Sequence, residues 1–122
     1  MALEEDIQII NLPNIGGEFK LVQLIVDNHP VMVCGLSIDF HKYILRDYLE
    51  SQSIPIETFK KGSKTLIALE GPRYVVVGMG KGKIRPIIKF FQLPYGESQD
   101  YDIEPSEDFE ERLKQQMVGW NF

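Results

Sequence analysis

The chain predicts a single α+β domain, on three observations. Its 122 residues amount to one domain, long enough to close a core without staples. Hydrophobic residues make up 43% and charged residues 25%, the balance of a globular chain rather than a disordered one. Short β-branched or alternating runs recur along the sequence, while two stretches, about 39–52 and 106–117, switch to helical spacing.

Taken in order, Ile7–Leu12 is short, rich in isoleucine and stopped by Pro13, which predicts a strand. Asn14-Ile15-Gly16-Gly17 predicts a turn. Glu18–Asp27 alternates, with Phe19 and Leu21 on one side and Lys20, Val22 and Leu24 on the other. That pattern predicts a strand covered on both faces. Asn28-His29-Pro30 is expected to break it before a third strand at Val31–Leu36. From Asp39 to Gln52 the apolar residues Phe40, Tyr43, Ile44, Leu45, Tyr48 and Leu49 recur at helical intervals. Ser37 or Asp39 is the expected cap, because a short oxygen-bearing side chain satisfies the orphaned N–H groups of a first turn.

Ile54–Phe59 and Thr65–Leu69 predict short strands around the basic turn Lys60–Lys64. Gly71-Pro72 turns the chain into Tyr74–Val77, the most strand-like stretch, which runs into Gly78-Met79-Gly80-Lys81-Gly82-Lys83. Ile87–Leu93 is a further strand candidate. Residues 94–105 are acidic and broken by proline and glycine, predicting a loop or mobile segment. Ser106 is the expected cap of the second helix, whose acids come first and whose Arg112 and Lys114 come later, as the helix dipole prefers. The aromatic tail at 119–122, Gly119-Trp120-Asn121-Phe122, is expected to dock on the core or on a second subunit.

Charge is unevenly distributed. The net −5 divides into −6 over residues 1–59, +7 over 60–89 and −6 over 90–122. An acidic chain is a poor nonspecific DNA binder, but the basic block supplies an anion-attracting patch if folding gathers it on one side. The lone Cys34 excludes an internal disulfide and, in its apolar run, reads as a buried thiol. No apolar run approaches a membrane span, and the acidic start is unlike a signal peptide, so no membrane partner and a cytoplasmic location are expected. With two histidines and one cysteine, no transition-metal cluster is expected. The acids at 97–111 fit no calcium-loop spacing, and no nucleophile-elbow motif is present.

Two segments remain that can carry chemistry. Gly78, Gly80 and Gly82 remove side chains at alternate positions, so their N–H groups can approach a bulky anion while Lys81 and Lys83 add charge. The spacing is neither Gly-x4-Gly-Lys-Ser/Thr nor Gly-x-Gly-x-x-Gly, and a flexible hairpin turn with solvated lysines is the plainer alternative. His41 falls in the first turn of the first helix, where the N-terminus disfavours imidazolium and leaves a neutral ring, a competent base near pH 7. The plainer alternative is a partly exposed histidine without a role. His29, before a proline in a turn, is expected to be exposed.

Four elements in order carry a family likeness: Gly17-Glu18-Phe19-Lys20, Phe40-His41 at a helix start, Gly62-Ser63-Lys64, and a strand ending Val76-Val77-Gly78-Met79-Gly80. This order resembles the Janus/Ocnus family, the phosphohistidine phosphatases, over about residues 16–84. The resemblance implies a mixed sheet with helices on it. It implies His41 as the general base that activates water, Lys20 in support, and Lys64 where the family has arginine. The amides of Gly80 and Gly82 would hold phosphoryl oxygens, with no metal or other cofactor. The chain departs from the family at Gly80, where the family has serine, and after Gly82, where the family has a helix.

The expected activity is metal-independent phosphatase chemistry, with His41 catalytic and Lys20, Lys64, Gly78, Gly80, Lys81 and Gly82 binding phosphate. Two alternatives stand beside it. One is a module that binds a phosphorylated small molecule or an RNA backbone without chemistry. The other is a homo-oligomeric structural protein, its subunits held through a strand edge or the aromatic tail.

Overall fold

The computed structural model describes residues 3–13, 17–85, 90–95 and 100–116. The element order is β1 (Gln8–Ile10), β2 (Gly17–Val26), β3 (His29–Leu36), α1 (His41–Ser51), β4 (Thr58–Lys61), β5 (Lys64–Ile67), β6 (Tyr74–Arg85), β7 (Phe90–Tyr95) and α2 (Glu107–Gln116). Five strands form one mixed sheet in the order β1-β3-β2-β6-β7, and β4-β5 is a separate two-stranded hairpin. Among the described residues, only the β1–β3 pairing is parallel. The α+β class read from the sequence is the class observed.

The alternation of β2 builds both layers of the core. Val22, Leu24 and Val26 pack with Val31 and Val33 of β3 and with Ile44, Leu45, Tyr48 and Leu49 of α1. Phe19 and Leu21 project to the other face, with Met32, Cys34 and Phe109 and Leu113 of α2. The sheet therefore lies between α1 and α2, with Leu66 and Ile67 of the β4-β5 hairpin joining the α1 side. Cys34 is buried, and desolvation pushes its thiol up to about 12, as the plain reading requires.

Several local expectations need correction. His29 and Pro30 do not break the chain: they open β3, and Pro30 pairs with Ile25. The turn is Asp27-Asn28, both at positive φ (49° and 69°), which matches the twist of a two-residue hairpin. Arg73 closes this end by a two-pronged bond to the Asp27 carboxylate (3.0 and 2.7 Å). Neither Ser37 nor Asp39 caps α1; Phe40 is the N-cap and has no side-chain bond, while the Asp39 carboxylate accepts from Leu36 N–H at 3.2 Å. The hairpin strands sit slightly off their expected bounds, around a turn with Gly62 at φ 63°. Ser106 does cap α2, accepting from Phe109 N–H at 3.4 Å.

The largest correction concerns the glycine segment. Residues 78–83 form neither a loop nor a turn but the middle of β6, paired residue by residue with β2. Pairing favours this outcome because the glycines leave room for large neighbours. A Cβ on Gly82 would lie 2.4 Å from the Phe19 ring, and one on Gly78 would lie 2.3 Å from Gln23 Oε1. The expected loop at 94–105 is also partly ordered structure: Pro94 and Tyr95 belong to β7, and Tyr101 is buried with its hydroxyl accepting from Ile67 N–H at 3.0 Å. Most of the 14–17 turn, the first half of the strand expected at 87–93, and the aromatic tail at 119–122 lie outside the described residues.

Candidate functional site

One irregularity in β6 decides which side chains meet. Gly78 pairs with Gln23 and Val76 with Leu24, so Val77 is an extra residue, a bulge that inverts the alternation. Before it, Tyr74 and Val76 face α1; after it, Met79 does. Lys81 follows Met79 in phase and so also faces α1. Were the strand to alternate regularly through Val77 instead of bulging there, Lys81 would point to the α2 side. Lys81 then stands directly opposite Lys20 of β2, in register and on the same face.

His41 is the first residue of α1 and is buried. Its Nε2 lies 2.9 Å from the Gly80 carbonyl oxygen. A carbonyl only accepts, so Nε2–H donates, and in the neutral ring Nδ1 carries the lone pair. Burial holds the imidazole below its usual range, and the Lys20 and Lys81 charges add to that effect against the opposing Gly80 bond and Asp100. The expected neutral histidine is thus present, but for a different main reason: desolvation by the sheet beneath it.

The surroundings are cationic. Like charges directly opposed across a strand pair destabilise each other unless an anion lies between them. Lys20 also sits 5.6 Å above the half-exposed Phe40 ring, which steadies its ammonium at the site's edge. Lys64 comes in from the hairpin but is paired with the Asp100 carboxylate at 2.8 Å, and Lys61 donates to the Asp100 carbonyl at 2.7 Å. The Lys64 bond holds the Asp100 carboxyl below its ordinary range, with Lys42 and Lys61 contributing.

Of the residues singled out in the sequence, Lys20, His41 and Lys81 therefore converge, and Lys64 reaches them through Asp100. Gly80 contributes its carbonyl to His41. The amide cradle does not form: N–H groups along a strand alternate in direction, and those on one side are about 7 Å apart. Gly78 and Gly82 turn their Cα–H toward the α2 side, against Gln23 and Phe19. Lys42 and Asp100 were missed. For Asp100 the only signal was an acidic segment next to a basic one, which did not say which acid would turn inward. His29 is exposed, as expected, and bonds Glu5 at 2.6 Å.

Among the described residues, no group of three or more His, Cys, Asp or Glu side chains can hold a metal ion. Among them, too, no helix is long and apolar enough to cross a membrane. No protein-family model, curated protein or solved structure matches the chain.

Proposed function

We propose that the protein hydrolyses a phosphoryl group where the start of α1 meets β2 and β6, without a metal. One observation carries this reading: a neutral, buried His41 is oriented by the Gly80 carbonyl beside the opposed pair Lys20 and Lys81. The two ammonium groups hold phosphoryl oxygens as point charges and, in doing so, lose their mutual repulsion. Nδ1 of His41 takes a proton from water as the water oxygen attacks phosphorus. The bond to the leaving group breaks, the leaving group departs with the electron pair and takes up a proton from solvent, and the imidazolium afterwards returns its Nδ1 proton to solvent. The imidazolium keeps its Nε2–H on Gly80.

The test is phosphate release from phosphohistidine and from an aryl phosphate by wild type, His41→Ala and Lys81→Ala. The general-base role predicts a loss of roughly 10²–10⁴-fold in His41→Ala, with inorganic phosphate affinity nearly unchanged. Wild-type turnover in that variant refutes the mechanism.

A second reading is favoured by the strand conformation of residues 78–83, which lacks convergent amides to stabilise transition-state charge. In that case the same residues hold a phosphorylated ligand without turning it over. Wild type would then bind inorganic phosphate, release none from either substrate, and bind more tightly once Asp100→Asn frees Lys64.

A further inference from the structure

Two aromatic side chains at the start of α1 are left out of the core. Ile44, Leu45, Tyr48 and Leu49 are buried, but Phe40 is 57% and Tyr43 41% exposed. Their rings meet edge to face, with centroids 6.0 Å apart and planes at 64°. The pair sits at the mouth of the phosphoryl site, since Phe40 immediately precedes His41 and the Lys20 ammonium lies 5.6 Å from the centre of the Phe40 ring. The Phe40 carbonyl accepts from Tyr43 N–H and Ile44 N–H at 3.0 and 3.2 Å, so the backbone of this platform is fixed before any ligand arrives. Lys42 and Arg46 stand over the Tyr43 ring at 5.1 and 4.7 Å, which lines that end of the platform with N–H donors. Arg46 commits Nε and Nη2 to Asp47, which leaves Nη1 for a ligand.

A ligand held by its phosphoryl group between Lys20 and Lys81 gains further contact at the ring that touches Lys20. An aromatic ring joined directly to a phosphoryl oxygen would meet the ammonium that already stands over Phe40. A ring set one sugar away passes the ammonium and reaches the exposed part of Phe40. A hydrocarbon chain would leave the donors of Lys42 and Arg46 without use, whereas a nucleobase has both a π-face to stack and acceptor atoms along its edge. We infer that the site takes a nucleotide, with its phosphoryl group on Lys20 and Lys81, its base stacked on Phe40 against Tyr43, and the acceptor edge of the base toward Lys42 and Arg46. The inference rests on the phosphoryl site, in either its hydrolytic or its binding form, and adds the class of molecule that carries the phosphoryl group.

The probes are adenosine monophosphate, its ribose phosphate without the base, and adenosine without the phosphoryl group. Binding to the intact protein is read from amide chemical shifts, and phosphorus resonances of the same samples confirm that each phosphate is intact. The stacked base is expected to make the nucleotide bind about tenfold tighter than the ribose phosphate. Shifts are expected at Lys20, at Lys81 and over residues 40–46. Phe40→Ala should bring the two affinities together, and Phe40→Tyr, which keeps a ring, should preserve their ratio. Phe40 makes no side-chain capping bond and lies outside the core, so its loss leaves the fold in place, and the ratio of the two ligands cancels any change at Lys20. Equal affinities in wild type, or an undiminished ratio in Phe40→Ala, would overturn the nucleotide assignment and leave the phosphoryl site standing. No binding of either phosphate up to about 10 mM would remove the phosphoryl site and this assignment with it. Adenosine binding as tightly as the nucleotide would mean a ring site without a phosphoryl role, which also overturns the assignment.

Discussion

Replacing Gly78 with alanine separates two roles for the glycine segment. If these glycines serve an anion, the methyl group costs ligand affinity and leaves the fold intact. The structure demands the reverse. The new Cβ would stand 2.3 Å from Gln23 Oε1, 2.6 Å from Ser106 N and 3.0 Å from Glu104 O. Two of those three are backbone atoms at the entry to α2, so no rotamer change relieves the clash. Gln23 is fully buried, and its Oε1 accepts from Ser106 N–H at 2.7 Å. Overpacking of this kind costs about 1–3 kcal/mol. Losing the Gln23–Ser106 bond adds about 1 kcal/mol. The sum is about 2–4 kcal/mol. With an unfolding entropy of about 0.26 kcal/mol/K for a chain of this length, Tm should fall by about 8–15 °C. Differential scanning calorimetry reads this directly, with inorganic phosphate affinity measured in parallel at a temperature where the variant is folded. A Tm within about 2 °C of wild type, together with weakened phosphate binding, would refute the packing account and restore the anion loop.

Two further perturbations follow from the same geometry. Tyr101→Phe leaves the Ile67 N–H without its partner beside the hairpin, which should cost about 1–3 kcal/mol in urea unfolding. His41 has a folded-state pKa below its ordinary 6.5, so the unfolded chain binds more protons between those two values. Its contribution to stability is therefore complete above about pH 6.5 and is lost as pH falls from there through the folded pKa. His41→Gln keeps an N–H donor for Gly80 but does not titrate, so it should flatten the pH dependence of Tm just below 6.5. An unaltered profile would mean that the ring is not buried neutral.

The α+β class, the two helices and the buried Cys34 were legible in the sequence, because periodicity and burial are local properties of side-chain pattern. The apolar residues of α1 repeat at helical spacing whatever they pack against. Glu18–Val26 alternates because both of its faces meet a core. His41 could be placed at a helix start by the same reasoning, and a lowered pKa followed, though the structure traces it chiefly to burial.

The sequence misplaced the glycine segment for a physical reason. Glycine at alternate positions suits both a backbone cradle for an anion and a strand pressed against large neighbours. Only Phe19 and Gln23, some sixty residues earlier, decide between them. Charge behaved similarly. The basic block and the acidic segment were visible as totals, but the fold brings a single acid, Asp100, to Lys64 and leaves Lys20 facing Lys81. That last pairing depends on Val77 being taken up as a bulge, since regular alternation through it would turn every later β6 side chain to the opposite face. A bulge depends on the partner strand's register as much as on its own residues, so it is settled only when β2 and β6 meet. Local side-chain pattern marked the two helices, most of the strands and the side chains that could carry chemistry, but not the strand character of residues 78–83. Long-range pairing determined which of those side chains share a face, because strand side chains alternate and a one-residue shift moves each from one side of the sheet to the other.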